Sequence, residues 1–146
     1  GCVAPSQDPG HIEHVVPVDF ALHVHVMGEP NATRVTHMRS VYVLTTDRRL
    51  RVGFGPRVSF DTAPSVRRRV SVDELEAICR FIDERGLMEP PQPQPVDDAA
   101  FDIAITAHGR TARYRATRAA GDVVALVRTL AEIGRFDVES TRTVEP

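Results

Sequence analysis

Two histidines, His23 and His25, stand two residues apart in residues 20–27, a run in which apolar and other residues alternate. Phe20, Leu22, Val24 and Val26 fall on one side of such a strand, and Ala21, His23, His25 and Met27 on the other. Side chains at i and i+2 of a strand share a face. Both imidazoles therefore point the same way and can supply two ligands to a metal ion, with His37, His11 or His14 as a third. No carboxylate at diagnostic spacing completes the set, and no His-Glu-x-x-His motif is present. A strand turned toward solvent or toward a partner gives the same pattern. In an interface, two histidines titrating near neutral pH would modulate binding.

The cationic residues form a second constellation. All 18 basic residues are arginine, and they cluster as Arg48, Arg49 and Arg51; as Arg67, Arg68 and Arg69; and as Arg113 and Arg115. The 67–69 run falls in an expected loop, and Arg113 and Arg115 share one strand face. These five are the candidate partner or anion surface, suited to phosphate, lipid headgroups or an acidic protein. A solvated, mutually neutralised face is the competing reading, because 20 acidic residues bring the net charge to −2. That balance does not suggest a nucleic-acid binder, which concentrates positive charge on one domain or stripe. The absence of lysine removes Schiff-base chemistry, a P-loop phosphate contact and a lysine acylation base.

Nucleophilic catalysis finds no support. There is no Gly-x-Ser-x-Gly elbow and no Cys-x-x-Cys, and Gly53-Phe54-Gly55 lacks the third glycine and following helix of a dinucleotide site. No catalytic residue and no cofactor is assigned, and a non-enzymatic role is expected. A hydrolase whose site no motif marks is the third reading.

The two cysteines read differently. Gly1-Cys2, followed by a short stretch rich in Pro, Ser and Asp, resembles the end of a bacterial lipoprotein signal, in which the cysteine thiol is lipidated. A chance terminal cysteine and a disulfide with Cys79 are the alternatives. Cys79 shares a helical face with Leu75, Ile78 and Ile82, so burial in the core explains it.

The elements that must position these residues follow from pattern and punctuation. A second strand is expected over residues 39–45 and a third over 50–54, joined by a polar turn at 46–49. Residues 57–60 suggest a short strand and 61–69 a loop. Ser71-Val72-Asp73-Glu74 is a capping box, opening a helix that runs to Arg85 with Gly86 as its left-handed terminator. A proline-rich connector at 89–98 leads to a hairpin of 101–107 and 111–118, with His108-Gly109 at its tip. Asp122 is expected to cap a last helix that Gly134 closes. The expected fold is α+β, in the order βββαββα: an antiparallel sheet built from hairpins, with two amphipathic helices on one face. Residues 1–19 read as an anchor and tether, 20–136 as a single domain, and 137–146 as a polar tail.

The run from Ser40 to Phe136 resembles small uncharacterised domains of bacterial lipoproteins and secreted envelope proteins. The shared features are a hairpin, a capped helix ending in Gly, a Pro-rich connector, a second hairpin with a Gly turn, and a last helix. Asp47-Arg48 departs from the pattern, where glycine is common. The resemblance implies an envelope location and brings no known activity. The expectation is a non-catalytic lipoprotein domain, an accessory or structural subunit on the periplasmic side, held by lipid on Cys2 and binding another envelope or membrane protein. Val3, in place of an acidic residue, favours the outer membrane. The alternative is a periplasmic module binding a metal or small anion through His23 and His25, with His37.

Overall fold

The computed structural model describes residues 16–28, 32–34, 37–91 and 98–135 of the 146-residue chain. Six strands and two helices follow one another: β1 (Ala21–Val26), β2 (Ser40–Thr45), β3 (Arg49–Phe54), β4 (Ser65–Arg69), α1 (Val72–Glu84), β5 (Phe101–Ala107), β6 (Arg110–Ala116) and α2 (Gly121–Ile133). The strands form one sheet in the order β4-β3-β2-β1-β5-β6, every neighbouring pair antiparallel. The α+β class is therefore as expected from the sequence, while the count before the first helix is four strands rather than three.

The extra strand is β4. Residues 61–69 read as a loop because Ser65–Arg69 has no alternation of apolar and polar side chains, and only Arg68 is even half-buried. Backbone pairing with β3 and two side-chain anchors hold it instead. Arg67 Nε donates to the carbonyl of Gly134 at 2.8 Å, and Arg68 Nη1 donates to that of Ile133 at 2.7 Å. Two guanidinium groups thus meet the last carbonyls of α2, where the helix leaves acceptors without intrahelical donors and concentrates negative charge. Residues 57–60 form turns rather than the short strand expected there.

Register puts one apolar set on one face of the sheet. Val24 lies between Tyr42 and Ile103, and Leu22 between Leu44 and Ile105. Tyr42 then pairs with Val52, and Ile103 with Tyr114. Apart from half-buried Val52, which packs against it, these residues share one buried cluster with Leu75, Ile78, Cys79 and Ile82 of α1 and Val123, Leu126, Val127 and Leu130 of α2. Fully burying each Leu or Ile contributes roughly 1.5–3 kcal/mol, so this cluster is the dominant stabilising feature of the fold.

The ends of α1 follow the sequence closely. Ser71 Oγ accepts the Glu74 N–H at 3.0 Å, and the Glu74 carboxylate accepts the Ser71 N–H at 2.8 Å. At the other end Gly86 has φ +64°, Gly86 N–H donates to the Asp83 carbonyl, and Leu87 N–H to that of Ile82. This is a Schellman closure, with Leu87 folded back into the core. For α2 the expected cap is corrected. The helix starts from Ala120, with no side-chain cap, so Asp122 lies within the first turn. There its charge complements the helix N-terminus, and it pairs with Arg85 at 3.4 Å.

Candidate functional site

Pleating sends His23 and His25 to the face opposite the apolar cluster. Across the strands, His23 lies between Val43 and Ala104, and His25 between Val41 and Asp102. Solvent does not cover this face, as an exposed histidine strand would require. Residues 55–64, between β3 and β4, fold across it. Phe60 stacks flat on His23, with ring centroids 4.1 Å apart and planes 7° from parallel. Val58 is buried beside Gly53, where an added Cβ would come within 3.4 Å of Pro64 and 3.5 Å of Val41. Arg39 fastens the loop by donating from Nη1 to the Val58 carbonyl at 3.0 Å. His25 is consequently buried and His23 half-buried.

An ion pair borders the histidines. Arg113 reaches diagonally from β6 to Asp102 on β5, with contacts of 3.4 Å from Nε and 3.2 Å from Nη2. Its guanidinium carbon lies 3.9 Å from the Phe60 ring centroid, adding a cation–π contact to the same aromatic ring that stacks on His23. The Asp102 carboxylate is largely shielded while the Arg113 side chain remains more than half exposed.

The histidine rings are held neutral. Burial is the main cause that pushes both below the ordinary imidazole value. Backbone hydrogen bonds to Phe60 and Val58 oppose the shift at His23 and His25 respectively, and Arg113 and Arg39 reinforce it. Both Nε2 atoms are buried with no hydrogen-bond partner among the described residues, so the backbone bonds fall to Nδ1. A ring that gives its Nδ1 proton to a carbonyl presents an unprotonated Nε2. That is the form in which histidine ligates a metal. Among the described residues, however, no three His, Cys, Asp or Glu side chains gather as a metal site. His37, on the approach to β2, does not complete one, and His11 and His14 lie outside the described residues.

The candidate arginines do not form one surface. Arg67 and Arg68 serve the α2 terminus, and Arg68 also meets Glu74 at 3.2 Å. Arg69 is exposed and lies directly across from exposed Arg49, so two of the three sequence clusters meet at this corner of the sheet. Arg51 there is neutralised by Asp47 at 3.0 Å. Arg113 and Arg115 lie on β6 at the far edge. Arg113 is committed to Asp102 and Phe60, and exposed Arg115 has Asp102 as its cross-strand neighbour.

Cys79 is free and buried, and burial pushes its thiol up to about 12, leaving almost no thiolate near neutral pH. It lines a pocket of about 180 Å³ with Phe20, Ile82, Met88, Ile105 and Pro17. Cys2 lies outside the described residues.

Three participants were not singled out from the sequence: Phe60, Asp102 and Asp19. The first two become relevant only through strand register and loop placement. Asp19 accepts hydrogen bonds from the backbone N–H groups of His108 and Gly109 at 2.9 and 2.8 Å. Those bonds, Gly109's foremost, hold its carboxyl below the usual range. Its position next to the first strand was a signal, but its partners lie about ninety residues away. No described helix is long and apolar enough to cross a membrane. No known protein family matches the chain, and no curated protein shows significant similarity to it.

Proposed function

We propose that this chain is a non-catalytic binding domain of a bacterial envelope lipoprotein, an accessory or structural subunit that meets another protein at a membrane surface. Cys2 carries the lipid, and the proline-bearing segment after it holds the domain off the bilayer on the periplasmic side, the outer membrane being favoured. The observation that carries this reading is the Asp19 latch. The chain arriving from Cys2 is fastened to the β5–β6 turn by two hydrogen bonds, from the His108 and Gly109 N–H groups to the Asp19 carboxylate, immediately before it enters the centre of the sheet. A tether joined to a stiff element in this way orients the domain as well as retaining it. The domain itself is a two-layer unit with both helices on one face, supported by the shared burial of sheet and helix residues in one cluster.

The test is the intact mass of the protein made in its native cells with its own signal sequence. Acyl and diacylglyceryl groups on Cys2 are expected, and cross-linking in those membranes then identifies the partner. An unmodified mass overturns the anchoring.

The unpartnered Nε2 atoms favour a second reading, a module binding a metal or small anion through His23 and His25. Calorimetry with Zn²⁺ or Cu²⁺ distinguishes it: heat from the wild type, absent in His23→Ala/His25→Ala, supports it, and no heat from either removes it.

A further inference from the structure

The two edges of the sheet are built differently. β4 is five residues long, has a bulge opposite the Leu50/Arg51 step, and is tied to α2 by Arg67 and Arg68. Shortness, a bulge and inserted charge are the ways proteins close an edge against further pairing. β6 has none of the first two: it runs seven residues in unbroken register with β5, without proline or glycine. The two-residue turn at His108-Gly109, both with positive φ, makes Ala107 and Arg110 a hydrogen-bonded pair. Alternation along an antiparallel ladder then turns the backbone N–H and C=O groups of Thr111, Arg113 and Arg115 away from β5. Their side chains are exposed, and Arg110 beside them, also exposed, is paired with Glu89 at 3.1 Å.

We propose that the outer edge of β6, with which no described strand pairs, takes an extended, acidic segment of another protein as a further strand of the sheet, by backbone pairing with Thr111, Arg113 and Arg115. This rests on reading the chain as a protein-binding domain and names the surface and the chemistry of the partner. Backbone groups would supply affinity irrespective of sequence, and alternate side chains would supply selectivity. The charge selects the occupant. Arg113 and Arg115 project from one face of the strand; Asp102 already pairs with Arg113 at 3.2 Å, so exposed Arg115 is the cation that an incoming carboxylate would lie opposite. A second copy of the chain supplies no such carboxylate: the register that pairs the whole of β6 with itself centres on Arg113 and sets Arg115 opposite Thr111.

The experiment uses the full chain in solution and two synthetic peptides, one alternating Glu with Val and one alternating Lys with Val. Affinity is read by calorimetry, and the location by backbone amide shifts. The Glu peptide is expected to bind, to shift the amides of Thr111, Arg113 and Arg115, and to weaken with added salt. Arg115→Glu, on an exposed side chain, should weaken it about tenfold or more. Thr111→Pro should abolish it while the circular dichroism spectrum is retained, since proline is tolerated where an edge N–H faces outward. Equal binding of the Lys peptide, shifts confined to other strands, or no binding overturns the proposal. So does binding of vesicles rich in anionic lipid without binding of the Glu peptide, which would make β6 a membrane-facing surface. The outcome is independent of whether Cys2 is lipidated, so failure here and failure of the anchoring reading are told apart.

Discussion

The buried hydroxyl of Tyr42 finds no well-formed hydrogen bond among the described residues, and the Ser40 side chain only partly opposes the burial that raises its pKa well above the phenolic value. An unsatisfied buried polar group costs about 1–3 kcal/mol. Tyr42→Phe, which keeps the ring and its edge-on contact with Phe54, should therefore leave stability unchanged or raise it, as measured by urea denaturation. The histidines give a pH dependence with a definite sign. Because both folded-state pKa values lie below the unfolded one, the unfolded chain binds more protons just below that value. Their stabilising contribution is present above the ordinary imidazole pKa and is lost as pH falls from there toward the lowered values. Asp61 and Asp102 temper the loss and Arg39 and Arg113 deepen it. Unfolding free energy should drop between about pH 7.5 and about pH 5, and His25→Val should flatten the drop. An unchanged slope would show that the imidazoles do not carry it.

At the scale of elements, α1 owes its start to a reciprocal pair of bonds and α2 starts without a side-chain cap. Ser71→Ala should cost about 1 kcal/mol, visible as a lower midpoint of thermal unfolding. β4 depends on its anchors, so Arg67→Ala/Arg68→Ala should speed hydrogen exchange of residues 65–69 while leaving β2 and β5 protected. Elements with periodic burial or a local stop signal were legible in the sequence: β1, the hairpin at His108-Gly109, the capping box at Ser71 and the closure at Gly86. β4 was not, because its stability comes from residues 133 and 134, far along the chain, and leaves no pattern within five residues of which four are exposed. The histidine pair was legible as a pair. Its enclosure was not, because the residues covering it are turn-forming and irregular, and Phe60 carries no spacing that announces a stacking partner.

For the whole molecule, the Asp19 latch joins the start of the domain to the turn between its last two strands. Asp19→Ala should accelerate exchange of the His108 and Gly109 amides and loosen the junction with the preceding segment. Since the carboxyl is held below its usual range, the latch contributes above the ordinary carboxylate pKa. That contribution is lost as pH falls through the lowered value. The position of β1 has a kinetic consequence. It is the first strand of the sheet in the sequence yet sits near its middle, pairing with β2 nearby and with β5 some eighty residues later. As the chain is made, β1 to β4 can assemble, but β1 remains an open apolar border until β5 emerges. Long-range closure of this kind slows folding. A chain moved across a membrane before β5 and β6 are made would travel without its completed sheet, and one truncated before Phe101 would keep a sticky border permanently.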